Sequence, residues 1–294
     1  MESLFLQQIA NGLIIGSIYC LIAIGLTMIF GVMNLSNFAH GDFSMLGAYF
    51  AIYTTAYLSG WCGWIGSMVV AAIGVGIIGY FIERFMFRPL KDRPTDIDVI
   101  MLSIGLFIIL ENGAQLLFGA TPQMVVDPFQ SESVGLFFFR TSYIRVFSFI
   151  LAILIIIALQ IFLTKTKVGV GIRAAAQNVK ASMLMGINVN YIYSLTFIIG
   201  SALAGLGGVL YGTIFAVFPT MGAMPTLKAF AITIMGGMGS IRGAIVGGFI
   251  LGVAETLGGN YISMQYKNSI GFIILILVLM TIPNGLFGRG RNNE

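Results

Sequence analysis

Apolar runs recur along the whole chain, separated by short polar interruptions. Residues 9–32 form the first, with Asn11, Ser17 and Thr27 as its polar side chains. Further runs cover residues 45–58, 64–82, 97–118, 146–163, 191–218, 228–238, 244–257 and 270–282. A helix needs about 20 apolar residues to cross a bilayer, and in lipid the helix satisfies every backbone polar group internally. The pattern therefore predicts an all-α, polytopic integral membrane protein with about eight or nine transmembrane helices, some of them short or discontinuous. One membrane domain is expected over residues 1–294.

Composition agrees: 58% of residues are hydrophobic and 9% charged, outside the range of soluble globular chains. The formal net charge of +4 resides in loops, namely Arg84, Arg88, Lys91 and Arg93, then Lys165, Lys167, Arg173 and Lys180, then Arg242, Arg289 and Arg291. The positive-inside rule makes these loops cytoplasmic, and no nucleic-acid footprint is implied. Parity places residues 119–140 outside as the longest outer connection, a landing surface for a binding protein; the N-terminus lies outside if residues 34–58 cross the membrane and inside if they dip in and return to the outer side. Cys20 lies in a span and Cys62 in a loop, so neither a disulfide framework nor a metal site follows. No basic stretch precedes the first apolar run, which is expected to remain as a span.

The basic, alanine-rich stretch at 165–189 interrupts this pattern. At 100° per residue, Ile172, Ala176, Val179, Met183 and Ile187 fall on one stripe, with Arg173, Gln177 and Lys180 beside it. This predicts a short amphipathic helix at the membrane surface, stopped by Gly186. Ala174, Ala181 and Met185 form a flank that another protein can approach closely.

Ionisable groups within a span are functional candidates because hydrocarbon does not solvate them. Asn37, His40 and Asp42 precede the second run, where Ser36 or Asn37 would cap a helix whose first turn holds His40 and Asp42 at the membrane edge. Glu111 and Gln115 share one face of the fourth run, a face expected to point away from lipid, and Glu255 lies late in the eighth. Small residues at every fourth position (Gly200, Ala204, Gly208, Gly212; Gly236, Ser240, Ala244, Gly248, Gly252) predict close helix packing. The apolar runs ending at Glu111 and Glu255 are faintly alike and suggest two related halves. The chain contains no Gly-Lys dipeptide of a phosphate loop, no HExxH and no GxSxG, so neither an internal ATPase nor hydrolytic chemistry has a basis.

Three stretches resemble the permease subunits of branched-chain amino acid ABC importers. They are residues 34–49, with Asn37-Phe-Ala-His-Gly followed by Met45, Gly47, Ala48 and Tyr49; residues 173–189, with Arg173, Ala174, Ala175, Ala176, Gln177, Asn178, Ala181 and Gly186; and the glycine-rich residues 236–248. The resemblance implies a multi-pass subunit of a prokaryotic cell (inner) membrane, with no cofactor of its own. Cytoplasmic ABC ATPase subunits would hydrolyse ATP, a second permease subunit, homologous or identical, would pair with it, and an external substrate-binding protein would deliver cargo. The segment at 165–189 would couple to the ATPase, and Asn37, His40, Asp42, Glu111 and Glu255 would belong to the translocation path or its gates. Two alternatives stay open: an importer of urea or short-chain amides, and an ion-coupled secondary transporter using Asp42, Glu111 and Glu255 as cation sites.

Overall fold

A computed structural model describes residues 2–58, 60–90, 95–126, 133–136, 139–282 and 284–288. The helices follow the apolar runs. They are α1 (Glu2–Met33), α2 (His40–Tyr57), α3 (Gly60–Ile82), α4 (Arg88–Leu90), α5 (Asp96–Phe118), α6 (Tyr143–Lys165), α7 (Lys167–Gln177) and α8 (Val179–Leu184), then α9 (Val189–Gly212), α10 (Ala223–Gly236), α11 (Ile241–Tyr261) and α12 (Lys267–Thr281). A two-stranded antiparallel hairpin, β1 (Ser133–Leu136) and β2 (Phe139–Ser142), precedes α6. Among the described residues, seven helices are long and apolar enough to cross a membrane: α1, α3 with its continuation to Leu90, α5, α6, α9, α11, and α12 with the preceding turn. Two further helices, α2 and α10, pack inside the bundle.

Caps set most of the boundaries. Thr95, Thr166, Asn178, Asn188 and Ser240 accept hydrogen bonds from the first turns of α5, α7, α8, α9 and α11. Each satisfies a backbone N–H that the helix itself cannot pair. α1 ends where Asn34 enters the left-handed region (φ 54°) and its N–H bonds the Phe30 carbonyl. The basic stretch after residue 82 is not a loop at its start, because a π-helical turn, Glu83–Phe87, carries α3 directly into α4. Lys91, Arg93, Arg289 and Arg291 lie outside the described residues.

α1 and α9 form the core, with 83% and 72% of their most apolar windows buried, whereas for α12 the figure is 6%. α1 and α9 cross antiparallel where a Cβ on either Gly25 or Gly200 would overlap the other's carbonyl oxygen. α1 also runs antiparallel to α11, with Gly12 against Val253, Gly16 against Phe249 and Cys20 against Gly248. α9 runs antiparallel to α3, with Gly79 on Ser201 and Gly205 on Val75. The packing expected of the small-residue stripes is thus what they do.

These contacts expose an inverted plan. In each half a long helix (α1, α9) leads through a non-helical return into a helix that starts inside the bundle (α2, α10), followed by a third helix (α3, α11). The likeness between the runs ending at Glu111 and Glu255 does not mark these halves, since Glu111 lies on α5 and Glu255 on α11. Of the two apolar runs at 228–238 and 244–257, the second belongs to α11, whose 21 residues make a full span, and only the first belongs to a short helix, α10, with 14.

One end of the bundle gathers Arg84, Arg88, Lys165, Lys167, Arg173, Lys180 and Arg242 at the ends of α3, α6 and α9 nearest the turn between α10 and α11. The last residues of α1 lie at that end too, where Phe30 and Asn34 share a cavity of about 580 Å³ with Gln160, Arg173 and Arg242. By charge this end faces the cytoplasm, so α1 starts on the opposite side.

Candidate functional site

α2 and α10 begin without side-chain caps, near the middle of the bundle, and they begin against each other. The chain turns back at Asn34, runs inward without helix to Phe38, and starts α2 at His40. His40 Nε2 lies 3.0 Å from the carbonyl oxygen of Ile22, level with the middle of α1 and not at the membrane edge. The non-helical return carries these residues into the bundle, which the apolar pattern alone could not reveal. From the other half, the turn Pro219–Gly222 leads into α10. Gly41 N–H donates to Thr226 Oγ1 (2.9 Å), whose hydroxyl donates to Gly222 O (2.9 Å). A Cβ on Gly41 would overlap both the Gly222 carbonyl and Thr226, so only glycine admits this approach. Phe38 stacks on Phe230 beside the contact, with ring centroids 4.8 Å apart.

Three of the five residues read from the sequence as path candidates meet here. Asn37, His40 and Asp42 are all fully buried. Asn37 does not cap α2; its Oδ1 accepts from Ala39 N–H (3.1 Å), one turn too early, and the N-cap position falls to Ala39. The Ile22 carbonyl can only accept, so Nε2 of His40 carries a proton toward it. Asn37 Nδ2, His40 Nδ1 and both carboxyl oxygens of Asp42 find no hydrogen-bond partner among the described residues. An amide-like group buried without a partner costs roughly 1–3 kcal/mol by mutational measure, and a carboxylate costs more. These unpartnered groups are concentrated where α2 and α10 begin against each other.

Glu255 does not join them. It sits on α11 with 1% exposure, and its Oε2 lies 2.7 Å from Lys228 Nζ on α10. Tyr19 of α1 completes the set: its hydroxyl accepts from Lys228 Nζ (2.6 Å) and donates to Glu255 Oε2 (3.2 Å). The ammonium also lies 4.6 Å from the centre of the Tyr19 ring. Three helices are pinned together by one buried ion pair. Sequence reasoning placed Lys228 merely at the start of a short apolar run. The signal for its role was a lone lysine inside that run, 27 positions before a lone intramembrane glutamate.

Glu111 is half-buried on α5. Asn112 and Gln115 are exposed on the surface of the bundle. The face expected to turn away from lipid therefore points outward within this single chain, because among the described residues α5 packs mainly by its other side, against α2, the turn Pro219–Gly222 and the π-turn after α3.

The segment at 165–189 lies at the cytoplasmic end as two short helices, not one. Asn178 breaks it: its extended backbone (φ −157°, ψ 108°) ends α7, and its Oδ1 accepts from Ala181 N–H (2.9 Å) to start α8. The break rotates the second helix, so the expected stripe does not form. Gly171, Ile172, Ala175 and Ser182 are buried, whereas Arg173, Ala176, Gln177, Lys180 and Ala181 are exposed and Ala174 is half-buried. Gly186 does supply the stop. It adopts φ 80°, and the N–H groups of Gly186 and Ile187 bond the carbonyls of Met183 and Ser182 (3.0 and 3.1 Å). Just before it, Met183, Leu184 and Met185 are 51%, 89% and 82% exposed.

A clamp ties the π-turn after α3 to the first turns of α9, the helix that follows this segment. Glu83, fully buried in the π-turn, takes both Nε (3.0 Å) and Nη2 (2.9 Å) of Arg88 and the hydroxyl of Ser194 on α9 (2.8 Å). Arg88 Nη2 also bonds Ser194 Oγ and reaches the Asn190 carbonyl (3.3 Å). The π-turn rotates Glu83 and Arg88 into register, five positions apart, for a bidentate pair. The sequence showed these residues only as loop charge.

Half-helices meeting at the centre of an apolar bundle, unpartnered polar groups at their junction and an exposed helical segment at the basic end define a membrane transport protein. Comparison with known proteins gives the family. Residues 8–280 match the model of the branched-chain amino acid transport system permease component. The chain is 38% identical to the high-affinity branched-chain amino acid transport system permease protein LivH of Escherichia coli (strain K12) and to BraD of Pseudomonas aeruginosa, covering 97% of this chain and 96% of each relative. A probable LivH permease of Methanocaldococcus jannaschii is 31% identical over 96% of this chain and 92% of that protein. PsaBC from Streptococcus pneumoniae, solved in complex with Fab, has a similar fold, with a TM-score of 0.50 at 14% identity over 96% of this chain and 94% of that one. The chain belongs to the family of branched-chain amino acid transport permeases. It is a multi-pass protein of the prokaryotic cell membrane and a component of a transporter.

Proposed function

We propose that this chain forms the translocation path of an ATP-driven importer of branched-chain amino acids and is coupled to separate cytoplasmic ATPase subunits through α7 and α8. It binds no cofactor, and its partners hydrolyse the ATP. An external binding protein delivers the amino acid at the opposite face. The observation that carries the reading is the pair of short helices at the basic end, which leave Met183, Leu184 and Met185 exposed and which precede α9, itself joined by the Glu83–Arg88–Ser194 clamp and its packing to the helices that meet at Gly41 and Gly222. Leu184 and Met185 project where a soluble partner can enclose them, and methionine adapts to such surfaces.

In this mechanism, closure of the ATPases displaces α7 and α8, the displacement passes into α9 and α3, and the junction of α2 with α10 opens. Asn37, His40 and Asp42 then exchange an unpartnered burial for water or the substrate's polar head. Most selectivity belongs to the binding protein, since the path presents few groups able to recognise an aliphatic side chain.

The test is Leu184→Glu with Met185→Glu in the reconstituted complex. Both residues are exposed, so the permease itself is expected to keep its stability; Ala175 is buried and unsuited to such a test. Loss of an anchor worth about 2 kcal/mol weakens docking roughly thirtyfold, so substrate-stimulated ATP hydrolysis is expected to collapse. Unchanged stimulation would refute the coupling role of this segment.

A further inference from the structure

The cavity of about 580 Å³ at the basic end is walled by the last turn of α1, by α6 and α7, and by the turn that starts α11. Two arginines on different elements line it, Arg173 of α7 and Arg242 of α11. Among the described residues neither has an ion-pair or hydrogen-bond partner, and no Asp or Glu lines the cavity. Two like charges on one space repel each other, and an anion between them removes the repulsion. α11 begins at the same cavity, which adds the positive end of its dipole. The amides of Gln160 and Gln177 and the hydroxyl of Thr164 supply further polar contacts, and Phe30 and Leu163 an apolar wall.

Position decides which anion fits. On α6, Ile150 is 50%, Leu154 55%, Ile157 49% and Ile161 56% exposed. Spaced by four, three and four, they form one apolar stripe along the helix, and Thr164 is its next position. Thr164 is also exposed and lines the cavity, so the surface offered to acyl chains runs directly into the basic space. At ~1.5 Å per residue the stretch from Leu154 to Thr164 is about 15 Å long, the hydrocarbon thickness of one leaflet. A chain lying on the stripe therefore ends with its glycerol at Thr164 and its phosphodiester beside the arginines. Free phosphate would fill little of the cavity and gain nothing from its apolar wall. Basic pockets between helices on the cytoplasmic side suit the anionic lipids of that leaflet.

We infer that this cavity binds the headgroup of an anionic phospholipid of the cytoplasmic leaflet, held by Arg173 and Arg242 with an acyl chain on α6. The bound lipid braces α7 against the start of α11. This goes beyond the permease reading. The ATPase contact proposed above rests on Leu184 and Met185, which do not line the cavity, so the two ideas fail separately.

The test uses the full chain, purified with its partner subunits and reconstituted in phosphatidylcholine vesicles. A trace of phosphatidylglycerol or phosphatidylcholine, each carrying a diazirine next to the glycerol, is added and irradiated, and adducts are mapped by mass spectrometry. The phosphatidylglycerol probe is expected to label residues 157–164 at least about tenfold more than the phosphatidylcholine probe. Arg173→Gln with Arg242→Gln is expected to abolish that preference, whereas Arg173→Lys with Arg242→Lys retains most of it because the charges remain. Excess inorganic phosphate is expected to leave the labelling unchanged. Equal labelling by the two probes, or a preference that survives the double glutamine variant, would overturn the assignment. Loss as complete in the lysine variant would trace the effect to local structure and overturn it as well. Displacement by inorganic phosphate would give the site to a free anion. Labelling that appears only once the ATPase subunits are stripped away would give the cavity to the ATPase, and either result would refute a lipid site.

Discussion

Two clusters of polar side chains lie in the interior of this bundle, and they are built on opposite terms. At Tyr19, Lys228 and Glu255 the ionisable groups are paired within 3.2 Å and three helices converge on them. At Asn37, His40 and Asp42 the groups are just as buried, yet four of their atoms have no described partner, and α2 begins there against the start of α10. Burial alone therefore does not distinguish a fastener from a moving part. A satisfied pair resists separation, since breaking it leaves a charge in a low dielectric. An unsatisfied set favours any rearrangement that admits a partner.

Lys228→Met breaks the comparison most severely. It strands Glu255 beside Tyr19, and a loss of about 3–5 kcal/mol is expected, read as a large fall in the melting temperature of the purified complex. Adding Glu255→Met should recover most of that loss, because two apolar side chains replace the pair. Recovery of stability without recovery of uptake would move this cluster from fastener to working part. Asp42→Asn sharpens the contrast from the other side. It removes an unpartnered carboxyl at nearly constant shape, so stability is expected to change by less than about 1 kcal/mol while amino acid uptake falls at least tenfold. A melting temperature lowered as far as by Lys228→Met would erase the distinction between the clusters. The smallest effect on uptake belongs to the cytoplasmic clamp. Arg88→Lys keeps the charge but loses the two-pronged contact with Glu83, for an expected cost of about 1–2 kcal/mol and a partial decline in uptake per ATP hydrolysed.

Much of the fold was legible because the requirement that lipid imposes is strict. A run such as residues 146–163 has no option but helix, and α6 follows it closely. The segment at 165–189 was legible as an interruption of that pattern, and Gly186 as its stop. The Asn178 break was not, since Asn caps a helix or continues a loop according to what packs beside it. Glu83 illustrates the same limit: in the sequence it was one charge in a basic stretch, and only the π-turn brings it under Arg88 and Ser194.

Hydrophobic spacing and charge, which act locally, were enough to determine that this is a helical membrane protein with a basic face and a short helical segment at 165–189 between its spans. Residues distant in sequence decided the rest. That His40 and Asp42 lie deep in the bundle, that Glu255 belongs to Lys228, and that Glu111 looks outward beside two amides all depend on where the chain returns at Asn34 and Phe218 and which backbones the glycines allow to touch. Such contacts carry no signature in neighbouring residues, because their energy arises only when α1, α2, α9 and α10 are assembled.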